Sequence, residues 1–410
     1  MKKIVAAILF LLAAADLLAA ETVRTVLVFP FENQSSRTDL QWISESFADV
    51  VSSRLSGPGR LVVDRKERNA AFGQLAIAPE TSLTLASKYK LAESLGADWV
   101  VMGKFDVQGD VLIARAQLLD VGRLKLLPAF ETSGELVDLV DLQTRLAWRL
   151  LATYDPEFTV GTEEDFRHQF PELRLDAFEN YIRGVLAGDP EARVRYLREA
   201  DRLNPTDRRA ALELGRHYFD EKDYANSARW VRKLDARDPS YDEALFLLGV
   251  DEFFMGREPA AEKAFAELAE RIPLNEARNN LGFLRARRGR TAEALMDFER
   301  AHQGDPADPD YNFNLAACLW SLDRYEEASR YLEEAVKLAP EDEEIHSLLA
   351  MVLGKLGRRE GRQEELHWLE ENEDRQAEQA EGDFSPNLRL KKSYDARGFR
   401  KLALAARIAR

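Results

Sequence analysis

The sequence predicts a multidomain α+β protein: a layered α/β domain with a mixed sheet, followed by an all-α superhelical solenoid. Two patterns carry that prediction. Over residues 23–152, short β-branched and aromatic runs alternate with stretches of helical period, as a layered α/β domain requires. Further on, Pro205, Pro239, Pro273, Pro306 and Pro340 recur at intervals of 34, 34, 33 and 34 residues. A fixed period of that length marks helix-turn-helix units that bury their apolar faces only by stacking on one another. Composition bounds the remaining choices. The chain has 410 residues, 45% hydrophobic and 31% charged, with 57 Lys and Arg against 72 Asp and Glu, a formal net charge of −15. Phosphate backbones are gripped by clustered cations, so this balance argues against a nucleic-acid binder. The apolar content is too high for a disordered chain. One cysteine, Cys318, excludes an intramolecular disulfide and a cysteine-based zinc site.

Taken in order, the first element is a leader over residues 1–20. Met1-Lys2-Lys3 is basic, Ile4 to Ala15 is apolar without interruption, and Leu18-Ala19-Ala20 ends in small residues. This is the layout of a cleaved secretory signal peptide, cut after Ala20 or after Ala15. The run is well short of the ~20 residues a spanning helix needs, and no later segment is apolar enough for a stable membrane span. No cysteine lies near the cut to carry a lipid anchor. Export to a bacterial periplasm is the expectation, and it fits a chain that does not rely on disulfides.

Residues 21–153 form the expected α/β domain. Val23 to Phe31 is rich in β-branched and aromatic residues and reads as a buried strand. Thr38-Asp39-Leu40-Gln41 has the capping-box pattern, and Leu40, Ile43, Phe47, Val50 and Val51 recur at helical spacing after it. Arg60 to Asp64 is a second strand. Helical signals then run over 65–75 and 81–95, Trp99–Phe105 and Val111–Leu119 form a hairpin around Gly109-Asp110, and an amphipathic helix covers 135–151. Val26 to Asn33, the helix from Trp42 to Leu55, Arg60 to Arg65, and Leu95 to Gly103 resemble the amino-terminal envelope domain of TolB and the related FlgO-like and CsgG-like domains. The resemblance implies a noncatalytic envelope module used in protein contacts.

A linker over 154–172 precedes a solenoid over 173–372. Leu214-Gly215 with Tyr218, then Leu248-Gly249, Leu281-Gly282 and Leu315-Ala316 put a small residue where paired helices approach. Ala261, Phe265 and Leu268, then Ala294, Phe298 and Ala301, then Ala328, Leu332 and Ala335 fill the matching slots of the second helices. With the proline period, these residues are similar to the tetratricopeptide repeat over four units from Asp207 to Pro340. Atypical units flank them at 177–205 and 343–371, as the ends of a solenoid require. The family pattern puts the second, fifth, ninth and twelfth positions of each first helix on the concave face. Arg216, Phe219, Phe246, Val250, Phe253, Asn279, Phe283, Arg287, Phe313 and Trp320 then line or border an aromatic groove suited to a protein or peptide partner. Two other expectations stand beside this: some rings belong to the core, or the chain's own C-terminal segment fills the groove. The Lys and Asn positions of the family's chaperone-type carboxylate clamp are not matched.

Residues 373–410 form a charged C-terminal tail. Glu364 to Asp383 holds nine acidic residues and one Arg, whereas Pro386 to Arg410 holds eight basic residues and Asp395. Phe399, Leu402, Ala403 and Ala406 make the last stretch an amphipathic basic helix. It packs on the acidic repeats in cis, mediates a homo-oligomer, or touches anionic lipid. His168, His217, His302, His346 and His367 show no ligand spacing, and no phosphate-cradling glycine loop or nucleophile elbow is present, so neither catalysis, a metal nor a cofactor is expected. Asp305 to Asp310 reads as an inter-repeat turn rather than a calcium loop, because the glycine and the twelfth-position glutamate are missing. Together the leader and the resemblances imply an exported scaffold that binds partners through its groove and α/β domain. The alternative is a self-associating component of an envelope or secretion assembly.

Overall fold

The structure, a computed structural model, describes residues 23–77, 83–372 and 386–409. The expected leader and residues 373–383 of the acidic stretch lie outside the described residues. The chain divides into two compact units, one running to Ala210 and the other beginning at Ala211.

The first unit is built on a mixed sheet. Strand β1 (Arg24–Val28) lies parallel to β3 (Arg60–Val62) on one side and to β4 (Trp99–Gln108) on the other. The short β2 (Glu32–Asn33) also pairs with β4. Strand β5 (Val111–Asp120) folds back on β4 through Gly109, whose φ of +64° suits a residue without a side chain. β6 (Lys125–Leu126) and β7 (Phe130–Glu135) both pair antiparallel with β5. Val26, Leu27 and Val28 are buried, as expected of a parallel strand covered on both faces. Leu27, Phe29 and Val100 pack with Phe72 and Leu91 from the helices Arg65–Gln74 and Leu85–Ser94, and with Leu95 at the C-cap of the second. Phe31 and Phe105 instead meet Phe47 of the helix Trp42–Leu55, with ring centroids 4.3 and 5.8 Å away. That helix packs beside Leu139–Tyr154, where Gln143 Nε2 donates to Ser46 Oγ at 2.7 Å.

Two local expectations give way here. The anticipated capping box does not form: Thr38–Leu40 is a 3-10 turn, and the helix begins at Trp42 without a side-chain cap. Strand β7 occupies Phe-Glu-Thr-Ser-Gly-Glu, where only one large apolar residue advertises a strand, and the helix expected from Glu135 starts at Leu139. The helical hairpin Leu175–Leu186 and Pro190–Leu203 completes this unit. Arg209 donates to Asp49 at 2.7 Å, and its guanidinium lies 4.7 Å from the Tyr181 ring.

The second unit stacks helical pairs. After the helices Arg209–Asp220 and Tyr224–Val231 come Tyr241–Phe254 with Glu258–Arg271, Asn275–Arg287 with Thr291–Gly304, Pro309–Trp320 with Tyr325–Leu338, and Glu343–Lys355 with Arg359–Glu371. A Cβ placed on Gly249 would come within 2.6 Å of the Phe265 ring, and one on Gly282 within 2.9 Å of Phe298. The small residue after each leucine therefore sets how closely the two helices of a pair approach. Phe246, Phe265, Phe298, Phe313 and Leu332 belong to one continuous apolar core along the stack. Residues 386–395 follow without helix or strand, and the helix Ala396–Ala409 ends the described chain.

Candidate peptide groove

Asn280 and Asn314 occupy the same position in consecutive repeats, each directly before the leucine and small residue that mark the helix pairing. Both are fully buried in mid-helix, where asparagine is ordinarily a poor choice. Their amides are committed elsewhere. Asn314 Oδ1 accepts the Arg389 backbone N–H at 2.7 Å, and its Nδ2 donates to the Arg389 carbonyl at 2.7 Å. Asn280 treats Lys391 identically, with both bonds at 2.8 Å. Asn279 Nδ2 adds a second donor to the Arg389 carbonyl at 2.9 Å, while its Oδ1 accepts from Asn314 at 2.8 Å. Residues two apart in an extended chain present their N–H and C=O to the same side. The asparagine ladder thus stands in for a neighbouring strand, and one step of the solenoid matches two residues of the bound segment.

Side chains on the segment meet acids at equivalent repeat positions. The Arg389 guanidinium donates to Asp310 at 3.0 Å and to Asp342 at 2.7 Å, with Glu344 at 3.4 Å, and lies 4.1 Å from the Phe313 ring centroid. Lys391 Nζ reaches Asp308 at 2.8 Å and Asp310 at 2.7 Å. Burial opposes ionisation of Asp310, but hydrogen bonds and charge from Lys391 and Arg389 outweigh it and hold the carboxyl below its ordinary range. Burial likewise disfavours the charge on Lys391, and Asp308 and Asp310 overcome it, so the ammonium titrates above its ordinary value. Glu276 shows the opposite balance: burial raises its carboxyl despite the Asp395 backbone N–H and the Lys391 charge.

The segment runs against the order of the repeats. The Asn387 N–H donates to Glu344 at 3.0 Å, Arg389 and Lys391 follow as described, and Tyr394 sets its ring edge-on to Phe246 at 4.8 Å. Asp395 then caps the final helix through the Gly398 N–H at 2.8 Å. Phe399, 4.5 Å from the Tyr394 ring, and Ala403 are buried on the solenoid core.

Of the ten residues singled out from sequence, Phe246, Asn279 and Phe313 lie against this segment. Phe246 and Phe313 are fully buried, so neither is a surface probe of the groove. Val250 is buried in the helical core. Phe253 packs edge-on to Phe283 at 5.2 Å, and Arg287 sits 5.7 Å from the Phe283 ring while donating to Glu258 at 2.9 Å. Arg216 is paired to Glu243 through two bonds, at 2.7 and 2.6 Å. Phe219 meets Tyr224 at 6.1 Å, and Trp320 meets Tyr325 at 5.1 Å. Asn280, Asn314, Asp308, Asp342 and Glu344 were missed. A signal for them exists: at a stride of 34, Asn280 repeats as Asn314, Asp308 as Asp342, and Glu276 as Asp310 and Glu344.

Other chemistry is sparse. Cys318 Sγ lies 3.5 Å from the Thr291 carbonyl, and burial pushes its thiol up to about 11. Among the described residues there is no group of His, Cys, Asp and Glu that could hold a metal, and no helix long and apolar enough to cross a membrane.

Tetratricopeptide repeat family models match residues 187–242, 246–312 and 286–352, and the chain carries these repeats. A TPR repeat-containing thioredoxin of Arabidopsis thaliana is 34% identical over 111 residues, which is 27% of this chain and 16% of that protein's length. Among solved structures, MamA from Desulfovibrio magneticus RS-1 is 17% identical with a TM-score of 0.38, covering 41% of this chain and 95% of its own. YrrB, described as a TPR protein with an unusual peptide-binding site, is 19% identical with a TM-score of 0.36, covering 40% of this chain and 87% of its own.

Proposed function

We propose that this chain is a protein-interaction scaffold whose solenoid groove holds an extended peptide. The observation that carries the reading is the pair of amide clamps. Asn280 and Asn314 each bond both backbone groups of one residue, a contact that an extended peptide satisfies through its main chain alone. The tetratricopeptide matches support it, because stacked helical pairs present long concave surfaces. The reading includes no catalytic step.

The setting proposed for this scaffold is the bacterial envelope. The basic-apolar-small order of residues 1–20 supports export, and the blocks resembling the TolB amino-terminal domain support a second contact surface on the α/β unit. Crosslinking pull-down from the native envelope tests the groove: Asn280→Ala with Asn314→Ala should lose the captured partner, and capture that survives both substitutions would sink the reading. Amino-terminal sequencing of the mature protein tests export. A chain starting at Glu21 or Asp16 is expected, and one that retains Met1 would remove the envelope setting.

A further inference from the structure

The groove is occupied by the chain itself, and what occupies it defines its chemistry. Resting on the groove reading above, we infer that its ligand in trans is an extended basic segment, cationic at positions i and i+2 with an aromatic ring at i+5. Residues 386–409 hold the groove as a competitor in cis.

Three observations converge on that pattern. The backbone clamps read no side chain, so they fix only an extended path and a two-residue stride. Charge is read beside them. The side chain at i enters a pocket made by Asp310, Asp342 and Glu344, and the one at i+2 enters a pocket made by Asp308 and Asp310. Asp310 serves both pockets. A carboxylate at either position would face two or three like charges in a half-buried site, which is a strong rejection. The ring at i+5 meets Phe246, a fully buried phenylalanine of the helix Tyr241–Phe254. Cation stacking adds to the first pocket, where the guanidinium lies over Phe313.

The chain's own segment meets every condition with Arg389, Lys391 and Tyr394. Because it is tethered, it competes at an effective concentration on the order of millimolar. A free ligand of equal chemistry therefore gains the groove only when the segment is released, and its apparent affinity rises by the fraction of grooves that become open.

The test uses the full chain and two fluorescent peptides read by polarisation. One peptide carries residues 386–395 as they stand, and the other carries Glu at the positions of Arg389 and Lys391. The released protein is the double variant Arg389→Glu, Lys391→Glu. A second release, Tyr394→Ser with Phe399→Ser, leaves both cations in place in case the first variant is misfolded. Released protein should bind the basic peptide about tenfold or more tighter than the unaltered chain does. It should ignore the acidic peptide, and Asp310→Ala added to either release should abolish the gain. Equal binding of both peptides would overturn the charge preference while leaving the groove reading intact. Equal affinity of released and unaltered chains for the basic peptide would overturn the competition in cis. Concentration-dependent dimers that disappear on release would overturn it too, by placing the segment in a second copy. If a folded, released groove bound neither peptide, the groove reading itself would fall.

Discussion

Asn280 and Asn314, one repeat apart, each close a two-bond ring on the backbone of a single residue, Lys391 and Arg389 respectively. The same amide at the same repeat position thus engages main-chain atoms two residues apart. That coincidence of strides makes the groove a reader of extended chain.

Removing these amides should free the segment. Each loses two hydrogen bonds to the segment whose net worth is ~1 kcal/mol apiece, so Asn280→Ala and Asn314→Ala should each speed tryptic cleavage after Arg389 and Lys391 by about tenfold or more. Unchanged cleavage rates would mean that the clamps hold nothing.

Docking of the segment should depend on pH at both extremes. Asp310 titrates below its ordinary carboxylate value when docked, so its contribution is present above that value and is lost as pH falls through the depressed one. Lys391 titrates above 10.5, so its contribution is complete below that value and is lost as pH rises through the raised one. Anisotropy of a dye on Ser393→Cys should therefore stay level across the neutral range and fall at both ends. The exposed position of Ser393 makes it a suitable site, and Cys318, buried with a thiol near 11, should remain unlabelled at pH 8.

Asp251 should weaken the folded state as pH rises. Burial pushes its carboxyl from 3.8 up to about 7, against the pull of Ser227 and Arg232. Between those values the unfolded chain is ionised and the folded one holds its proton, so stability declines with pH across that window and then levels off. The decline is on the order of a few kcal/mol. Asp251→Asn should flatten it, as measured by urea denaturation at pH 5 and pH 8, and an unchanged slope would assign the effect elsewhere.

Glycine substitutions should separate two kinds of position. Gly249→Ala pushes a methyl into the Phe265 ring and should cost about 1–3 kcal/mol. Gly73→Ala meets nothing within 4 Å inside the helix Arg65–Gln74, and should stabilise by ~0.5–1 kcal/mol through helix propensity. Melting temperatures moving the same way would contradict the packing account.

Much of the fold is legible where a local rule has a period. The proline spacing and the Leu281-Gly282 and Leu315-Ala316 steps announce the helical pairs because every repeat must solve the same packing problem. The strand Arg24–Val28 is legible because burial on both faces demands a continuous apolar run. Strand β7 is not, since its pairing with β5 rests on backbone bonds that Glu131, Thr132 and Ser133 make as well as apolar residues would. The groove follows the same division. Phe246, Asn279 and Phe313 were visible as concave positions, but the partners of Asn280 and Asn314 lie 111 and 75 residues away in sequence. No local pattern joins them. Mid-helix asparagine carries no outward sign that its amide is reserved for a distant main chain.

Repeat arrays ordinarily hold together one neighbour at a time, so an end can fray without disturbing the middle. Residues 387–399 change that connectivity. They touch the helices Glu343–Lys355, Pro309–Trp320, Asn275–Arg287 and Tyr241–Phe254 in turn. Like a cord laced through four successive eyelets, the segment ties the first of these units to the last as well as each to its neighbour, so loosening one of them slackens the hold on the rest. With the cord in place the array should unravel as a block; with it withdrawn, the units should come apart one by one.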